Sequence, residues 1–255
     1  MFKTKEQIKE WLDEMKIQNY SINEDLTVDV KGDVNIRDRE LNKIPVQFGS
    51  IKGGFDCSDN KLKSLEDGPQ IVEGSFYCEK NKLTSLKGCP KIVKGRFYCY
   101  GNKLKSLEGG PEIVEGGFDC SRNNLTSLKG APKIVEGSFY CYGNNLTSLE
   151  GCPEIVEGEF NCDNNNLTTL EGCPQVVEGE FSCSDNNLTS FEYLPLKVEW
   201  EFIHDGIKEQ GITESATLEE LKKRNDIIKA KKSLEEEFKS KDLNKEQTKR
   251  KRMKI

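Results

Sequence analysis

Apolar and polar positions along the chain recur every 21 residues. Phe55, Phe76, Phe97, Phe118, Phe139, Phe160 and Phe181 are spaced by 21, and so are Cys57, Cys78, Cys99, Cys120, Cys141, Cys162 and Cys183 two places later. Asn60, Asn81, Asn102, Asn123, Asn144, Asn165 and Asn186 form a third column, and Pro69, Pro90, Pro111, Pro132, Pro153, Pro174 and Pro195 a fourth. The unit reads G-x-F-x-C-x-x-N-x-L-x-S-L-x-G-x-P-x-I-V-x seven times over residues 53–199. A degenerate copy precedes it, with Val34, Ile36, Leu41, Ile44 and Ile51 at the apolar positions. Val198, Phe202 and His204 continue the Val, Phe and Cys columns, so an eighth strand is expected to close the array. Repetition at such a period is the signature of a solenoid.

The alternation Phe-x-Cys is strand spacing, followed by a turn at Asn and two leucines three apart. A single unit cannot bury both sets. Stacked in register at about 4.8 Å, the units would put Phe on Phe, Cys on Cys and Leu on Leu, so that seven strands span roughly 34 Å. A buried asparagine amide can donate and accept, which suits loop backbone groups of its own coil and the next. Gly53, Gly74, Gly95, Gly116, Gly137, Gly158 and Gly179 precede the strands, where a tight corner or a positive φ favours glycine. The pattern predicts an α/β-type repeat solenoid, a parallel β stack of about 21-residue units with an N-terminal helical cap and a C-terminal helix.

Terminal repeats need covers. Thr4 with Gln7 resembles a capping box, and Ile8, Trp11, Leu12 and Met15 follow at helical spacing, predicting an amphipathic cap. Residues 26–30 and 34–36 flank Lys31-Gly32-Asp33 and are expected to form a hairpin. Thr217 with Glu220 opens a charged helix whose thin apolar stripe is Leu218, Leu221, Ile228, Leu234 and Phe238. The division expected is a capping helix and strand over 1–31, the solenoid over 32–204, and a charged helical tail with a basic end over 205–255.

The run F-x-C-x-x-N-x-L-T-S-L resembles the leucine-rich repeat consensus L-x-x-L-x-L-x-x-N-x-L, and is most similar to the short bacterial type. The resemblance covers residues 34–204 and implies a leucine-rich-repeat-like stack. Its departure is that Val72 and its equivalents stand four residues before Phe, not three. The opening Ile-Lys-Glu-Trp-Leu, with Tyr20-Ser-Ile-Asn-Glu-Asp-Leu-Thr-Val-Asp-Val, also resembles the start of uncharacterised repeat proteins encoded by tailed bacteriophages and some bacteria. That likeness implies a source without implying an activity. Bacterial secreted ubiquitin ligases join short leucine-rich repeats to a separate catalytic cysteine domain, but no cysteine follows Cys183 here, so their activity does not carry over.

The 255 residues are 32% charged and 35% hydrophobic, too polar for a large two-layer core and without the 18 to 20 consecutive apolar residues, roughly, of a membrane span. No apolar run near the start suits a signal peptide, so a cytoplasmic location is expected, the bacterial host cytoplasm if the chain is phage-encoded. A net charge of −6 gives no overall pull toward nucleic acid. Lys245, Lys249, Arg250, Lys251, Arg252 and Lys254 form a basic end that could hold phosphate, although no aromatic residue there could stack a base. Of the ten cysteines none forms a C-x-x-C pair, and Cys89, Cys152 and Cys173 share a column with Gly68, Gly110, Ala131 and Leu194. Reduced, buried thiols are expected, and no metal or cofactor. His204 is the sole histidine, phosphate-loop and dinucleotide motifs are absent, and Asp56 and Asp119 recur too far apart to work on one bond. The chain is therefore expected not to be an enzyme.

In such a stack the residues flanking Phe and Cys face outward. These triplets contain Tyr77, Tyr98, Tyr100, Tyr140 and Tyr142, five of the seven tyrosines, together with Arg96. Tyrosine and arginine are frequent binding hot spots. The small strand from Gly117 through Asp119 to Ser121 leaves a saddle between two aromatic ridges. On the opposite side Glu66, Lys87, Glu108, Lys129 and Glu150 alternate in sign, as do Lys91, Glu112, Lys133 and Glu154, a pattern that disfavours slippage by one coil. The expected function is a non-catalytic protein-binding module using Tyr77, Arg96, Tyr98, Tyr100, Tyr140 and Tyr142, with a host protein, such as one of a defence system, as the expected partner. The alternatives are a nucleic-acid-associated protein acting through residues 245–255 and a virion or assembly component.

Overall fold

The computed structural model describes residues 1–206, 216–223, 225, 226 and 229. Two compact units are present, Met1–Glu214 and Ser215–Ile255. The first is a parallel β-solenoid built from two sheets, and each 21-residue coil gives one short strand to each.

The chain begins with α1 (Lys5–Glu14), where the Thr4 side chain accepts from the Gln7 amide and the Gln7 side chain accepts from the Lys3 amide. Ile8, Trp11, Leu12 and Met15 are buried, as their spacing predicts, and the Trp11 ring reaches Phe48 at 6.4 Å. Next come β1 (Tyr20–Ile22), β2 (Val28–Val30), β3 (Val34–Asn35) and β4 (Phe48–Ile51). The isoleucine–valine pairs then form β6 (Ile71–Val72), β8 (Ile92–Val93), β10 (Ile113–Val114), β12 (Ile134–Val135), β14 (Ile155–Val156), β16 (Val176–Val177) and β18 (Lys197–Val198). The phenylalanine positions form β5 (Phe55–Asp56), β7 (Phe76–Tyr77), β9 (Phe97–Tyr98), β11 (Phe118–Asp119), β13 (Phe139–Tyr140), β15 (Phe160–Asn161), β17 (Phe181–Ser182) and β19 (Phe202–Ile203). The isoleucine–valine sheet has ten strands, starting β1-β2-β4 and ending at β18, and the phenylalanine sheet has nine, from β3 to β19. Among the described residues only the β1–β2 pairing is antiparallel.

One expectation is corrected and two open points are settled. Residues 26–30 and 34–36 do not form a hairpin: β2 pairs with β4 and β3 with β5, so Lys31-Gly32-Asp33 is a corner between sheets. Both segments bury their valines, which two separate sheets can do and one hairpin on the surface cannot. The antiparallel partner of β2 is β1, reached through a turn in which Asp25 accepts from the Thr27 amide and hydroxyl. The four-residue gap between Val72 and Phe76 is likewise a corner. The glycines before the phenylalanine strands are not in the left-handed region; a β carbon at Gly74 would meet the Gly53 carbonyl carbon at 2.7 Å, so close packing between coils requires them. Positive φ falls instead on the residue before each column asparagine, from Asp59 at 52° through Lys80 at 51° to Gly143 at 65°.

The core is a set of columns. Successive phenylalanine rings from Phe48 to Phe202 lie 5.0 to 5.7 Å apart between centroids. Cys57 to Cys183 and both leucines of each coil from Leu62 to Leu170 are buried beside them. Each column asparagine donates from Nδ2 to the cysteine-position carbonyl of its own coil and to the equivalent carbonyl one coil earlier. Asn123, for example, reaches Cys120 and Cys99 at 3.1 Å each. Its Oδ1 accepts from the Leu104 amide at 3.0 Å. The amide therefore joins its own coil to the preceding one, not to the next.

At the C-terminal end of the first unit, His204 takes the inward position expected of its column. Its ring packs on Phe191 at 4.8 Å and Phe202 at 5.4 Å, and Nδ1 accepts from the Gly206 amide. In the second unit, Thr217 and Glu220 form the predicted capping box at the start of a helix that includes residues 218–223. Ile228, Leu234, Phe238 and the basic run 245–254 lie outside the described residues.

Because the Asn123 side chain holds four backbone groups in a buried site, Asn123→Ala is expected to destabilise the protein by roughly 3 kcal/mol or more, whereas its exposed neighbour changed as Asn124→Ala stays within about 0.5 kcal/mol. Urea unfolding followed by circular dichroism checks both.

Candidate functional site

Parallel in-register pairing fixes where each flanking side chain stands. Tyr77 pairs with Tyr98, Tyr98 with Asp119, Asp119 with Tyr140, and Tyr140 with Asn161. The six residues singled out in the sequence therefore lie on one face of the phenylalanine sheet. Tyr77, Arg96, Tyr98 and Tyr100 form one ridge and Tyr140 with Tyr142 the other. The five tyrosines are half-buried and Arg96 is exposed.

The rings are held by specific contacts. Tyr98 meets Tyr77 edge-on at 5.5 Å and Tyr100 at 6.4 Å between centroids. The Tyr140 hydroxyl donates to Glu159 Oε2 at 2.6 Å, and the Arg122 guanidinium lies over the Tyr142 ring at 5.6 Å. Between the ridges, Gly117, Asp119 and Ser121 form the floor of the saddle. Asp119 Oδ1 accepts from the Ser121 amide at 2.9 Å. Burial raises the Asp119 carboxyl above its ordinary range, against the stabilising pull of that amide. Burial also raises the hydroxyls of Tyr98, Tyr100 and Tyr140, so these three rings stay neutral at physiological pH.

Part of the expected surface is not surface. The third member of several triplets is buried, including Ser58, Glu79 and Ser121, because larger neighbours cover it. Glu79 is the case with consequences. It is 7% exposed, and its Oε2 has no hydrogen-bond partner among the described residues. Burial pushes its carboxyl up to about 7; its own backbone amide and Arg37 oppose this, while Asp56 and Asp59 reinforce it. Arg37 is engaged elsewhere, at 2.8 Å from Asp59.

The charge of the face went unread in the sequence although it is written there. The outward triplets hold Asp56, Glu79, Asp119, Glu159, Asp163 and Glu180 against Arg96 alone. The crowding acts on Glu180, whose carboxyl is raised by burial and then by Glu159, Glu201 and Asp163. Such a face repels phosphate and attracts cations.

The column cysteines are a poor source of chemistry. All ten carry free thiols; burial pushes those in the strand column well above their ordinary value, and pushes Cys89 and Cys173 of the other column up to about 12. A thiol held neutral is a weak nucleophile and a weak metal ligand. Among the described residues no group of three or more His, Cys, Asp or Glu side chains is placed to hold a metal ion, and no helix is long and apolar enough to cross a membrane.

The other sheet presents the alternating charges as expected, with Lys87 to Glu66 at 2.9 Å and Lys129 to Glu108 at 2.8 Å. It also exposes a row the sequence reading passed over, Ile71, Ile92, Ile134 and Ile155, each about half accessible at 49 to 54%. An open groove of about 500 Å3 lies beside Ile134 and Ile155, lined by Pro132, Pro153 and Cys152. Lys133, Glu154 and Glu157 also line it, beside this apolar floor. No family model, curated protein or solved structure matches the chain.

Glu79 gives a pH test. The folded protein keeps its proton to about pH 7, and the unfolded chain releases it near 4.5. The stability this contributes is complete below the unfolded value and is lost as pH rises through about 7. Glu79→Gln is therefore expected to exceed wild type in stability at pH 8, by on the order of 2 kcal/mol, and to match it at pH 4.5. Thermal melts at the two pH values decide it.

Proposed function

We propose that this protein is a non-catalytic binding module that grips another protein through the tyrosine-bearing face of the phenylalanine sheet. The observation that carries the reading is the pair of ridges. Tyr77, Tyr98, Tyr100, Tyr140 and Tyr142 stand half-buried at fixed strand intervals on a sheet whose register is held from beneath. Aromatic rings pre-positioned in this way present large amphipathic area with little side-chain entropy left to lose on association.

The resemblance of the repeat to short bacterial leucine-rich repeats, and of the opening segment to phage-encoded repeat proteins, supports a partner in the bacterial cytoplasm. Sequestration of a host defence protein is the role that fits both. The acidic face argues against phosphate recognition there, and the nucleic-acid alternative rests on residues 245–255, outside the described residues.

Affinity capture from bacterial cytosol, with nuclease treatment, tests the placement. A protein retained by wild type is expected to be lost from the variant carrying Tyr98→Ala, Tyr100→Ala, Tyr140→Ala and Tyr142→Ala, with the β-sheet circular dichroism signal unchanged. Equal retention by both would remove the face from the interface.

A further inference from the structure

Resting on that reading of the face, we propose that the saddle between the ridges is a cation site, taking the guanidinium of an arginine presented by the partner protein. Tyr98 and Tyr140 are its walls and the Asp119 carboxylate its floor.

The register sets the dimensions. Asp119 pairs with Tyr98 on one side and Tyr140 on the other, so the two tyrosine backbones stand two strand spacings apart, about 9.6 Å. A planar group midway would lie about 4.8 Å from each ring if the rings rise straight from the sheet, inside the about 6 Å at which a cation is drawn to a ring face. Gly117 has no side chain, and the Ser121 side chain is buried.

The walls are braced from behind. Tyr98 leans on Tyr77 and Tyr100, and the Tyr140 hydroxyl is held by Glu159. The floor carries negative charge that is only partly met. Asp119 accepts from the Ser121 amide, and among the described residues no cationic group lies within ion-pair distance of it. Arg122 is near enough for its charge to be felt at Asp119, yet its guanidinium is stacked on Tyr142. That stack shows, in the molecule itself, the contact assigned to the incoming side chain.

Arginine fits better than lysine on chemical grounds. Its guanidinium is flat, is less strongly hydrated than an ammonium, and can stack on rings while donating in its plane to a carboxylate. The surplus of Asp56, Asp119, Glu159, Asp163 and Glu180 over Arg96 favours a basic segment around that arginine.

The test is an NMR titration of the full chain with N-acetyl-arginine amide, N-acetyl-citrulline amide as its uncharged near-isostere, and N-acetyl-lysine amide. The arginine compound is expected to shift the ring signals of Tyr98 and Tyr140 saturably, with the citrulline compound at least about tenfold weaker. Asp119→Asn and, separately, Tyr140→Ala are each expected to weaken the arginine compound roughly tenfold, while Tyr140→Phe, which keeps the ring, stays within about twofold. Amide-proton spectra of the variants establish that they are folded. Citrulline binding as tightly as arginine, undiminished binding by Asp119→Asn, or lysine matching arginine overturns the assignment. The two levels separate cleanly. An arginine response in a protein whose partner capture ignores the tyrosine variants upholds the cation site and removes the partner reading, whereas capture that depends on the tyrosines without any arginine response does the reverse.

Discussion

The buried asparagine amide is the interaction on which the rest of this solenoid depends. Once per coil it bonds backbone groups of its own turn and of the turn before, where the chain leaves the phenylalanine strand and no sheet ladder is available. For Asn81 those contacts are the carbonyls of Cys57 and Cys78 and the amide of Leu62, all within 3.2 Å. A coil of any length other than 21 residues would carry the amide past these groups and leave them buried and unpaired. The asparagines thus set coil length, and coil length sets the register in which Phe meets Phe and Tyr98 meets Asp119.

Local costs gather near the face that this register organises. The turn residue before each asparagine adopts the left-handed conformation, which Gly101 and Gly143 reach freely but Lys80 and Arg122 do not. Glu79 keeps a carboxylate in a buried position with one oxygen unpartnered, between the serine of one coil and the tyrosine of the next. These three residues surround the ridge of Tyr98 and Tyr100. Backbone and electrostatic strain persist where surrounding structure over-determines them, and a face built on rigid strands is such a setting. The two sheets divide the work: one bears rings and carboxylates, and the other bears isoleucines between charges that pair from coil to coil.

The fold was legible because every coil repeats the same solution. The columns of Phe, Cys, Asn and Leu predicted a parallel stack, and Ile8, Trp11 and Leu12 predicted the cap. The second sheet was harder to see. Two-residue strands such as Ile71–Val72 are too short to show alternation, and only their pairing with Ile92–Val93 and its successors makes them a sheet. The false hairpin at Lys31-Gly32-Asp33 has the same origin, since a glycine-containing corner between sheets and a hairpin turn read alike along one chain.

At the candidate site the division follows from physical range. The sequence by itself determined which side chains stand on the face, because strand alternation and a constant period leave no freedom once Phe and Cys are inside. It also held the surplus of carboxylates. Only the tertiary structure decided which of those groups are accessible and how they interact. That Glu79 is buried while Asp119 is only half-buried between two rings depends on what the adjacent coils place beside them, Ser58 and Tyr100 for the one, Tyr98 and Tyr140 for the other. Burial, ring contacts and proton affinity are properties of neighbours 21 residues away in the chain and one strand away in space, and no local stretch of sequence contains both.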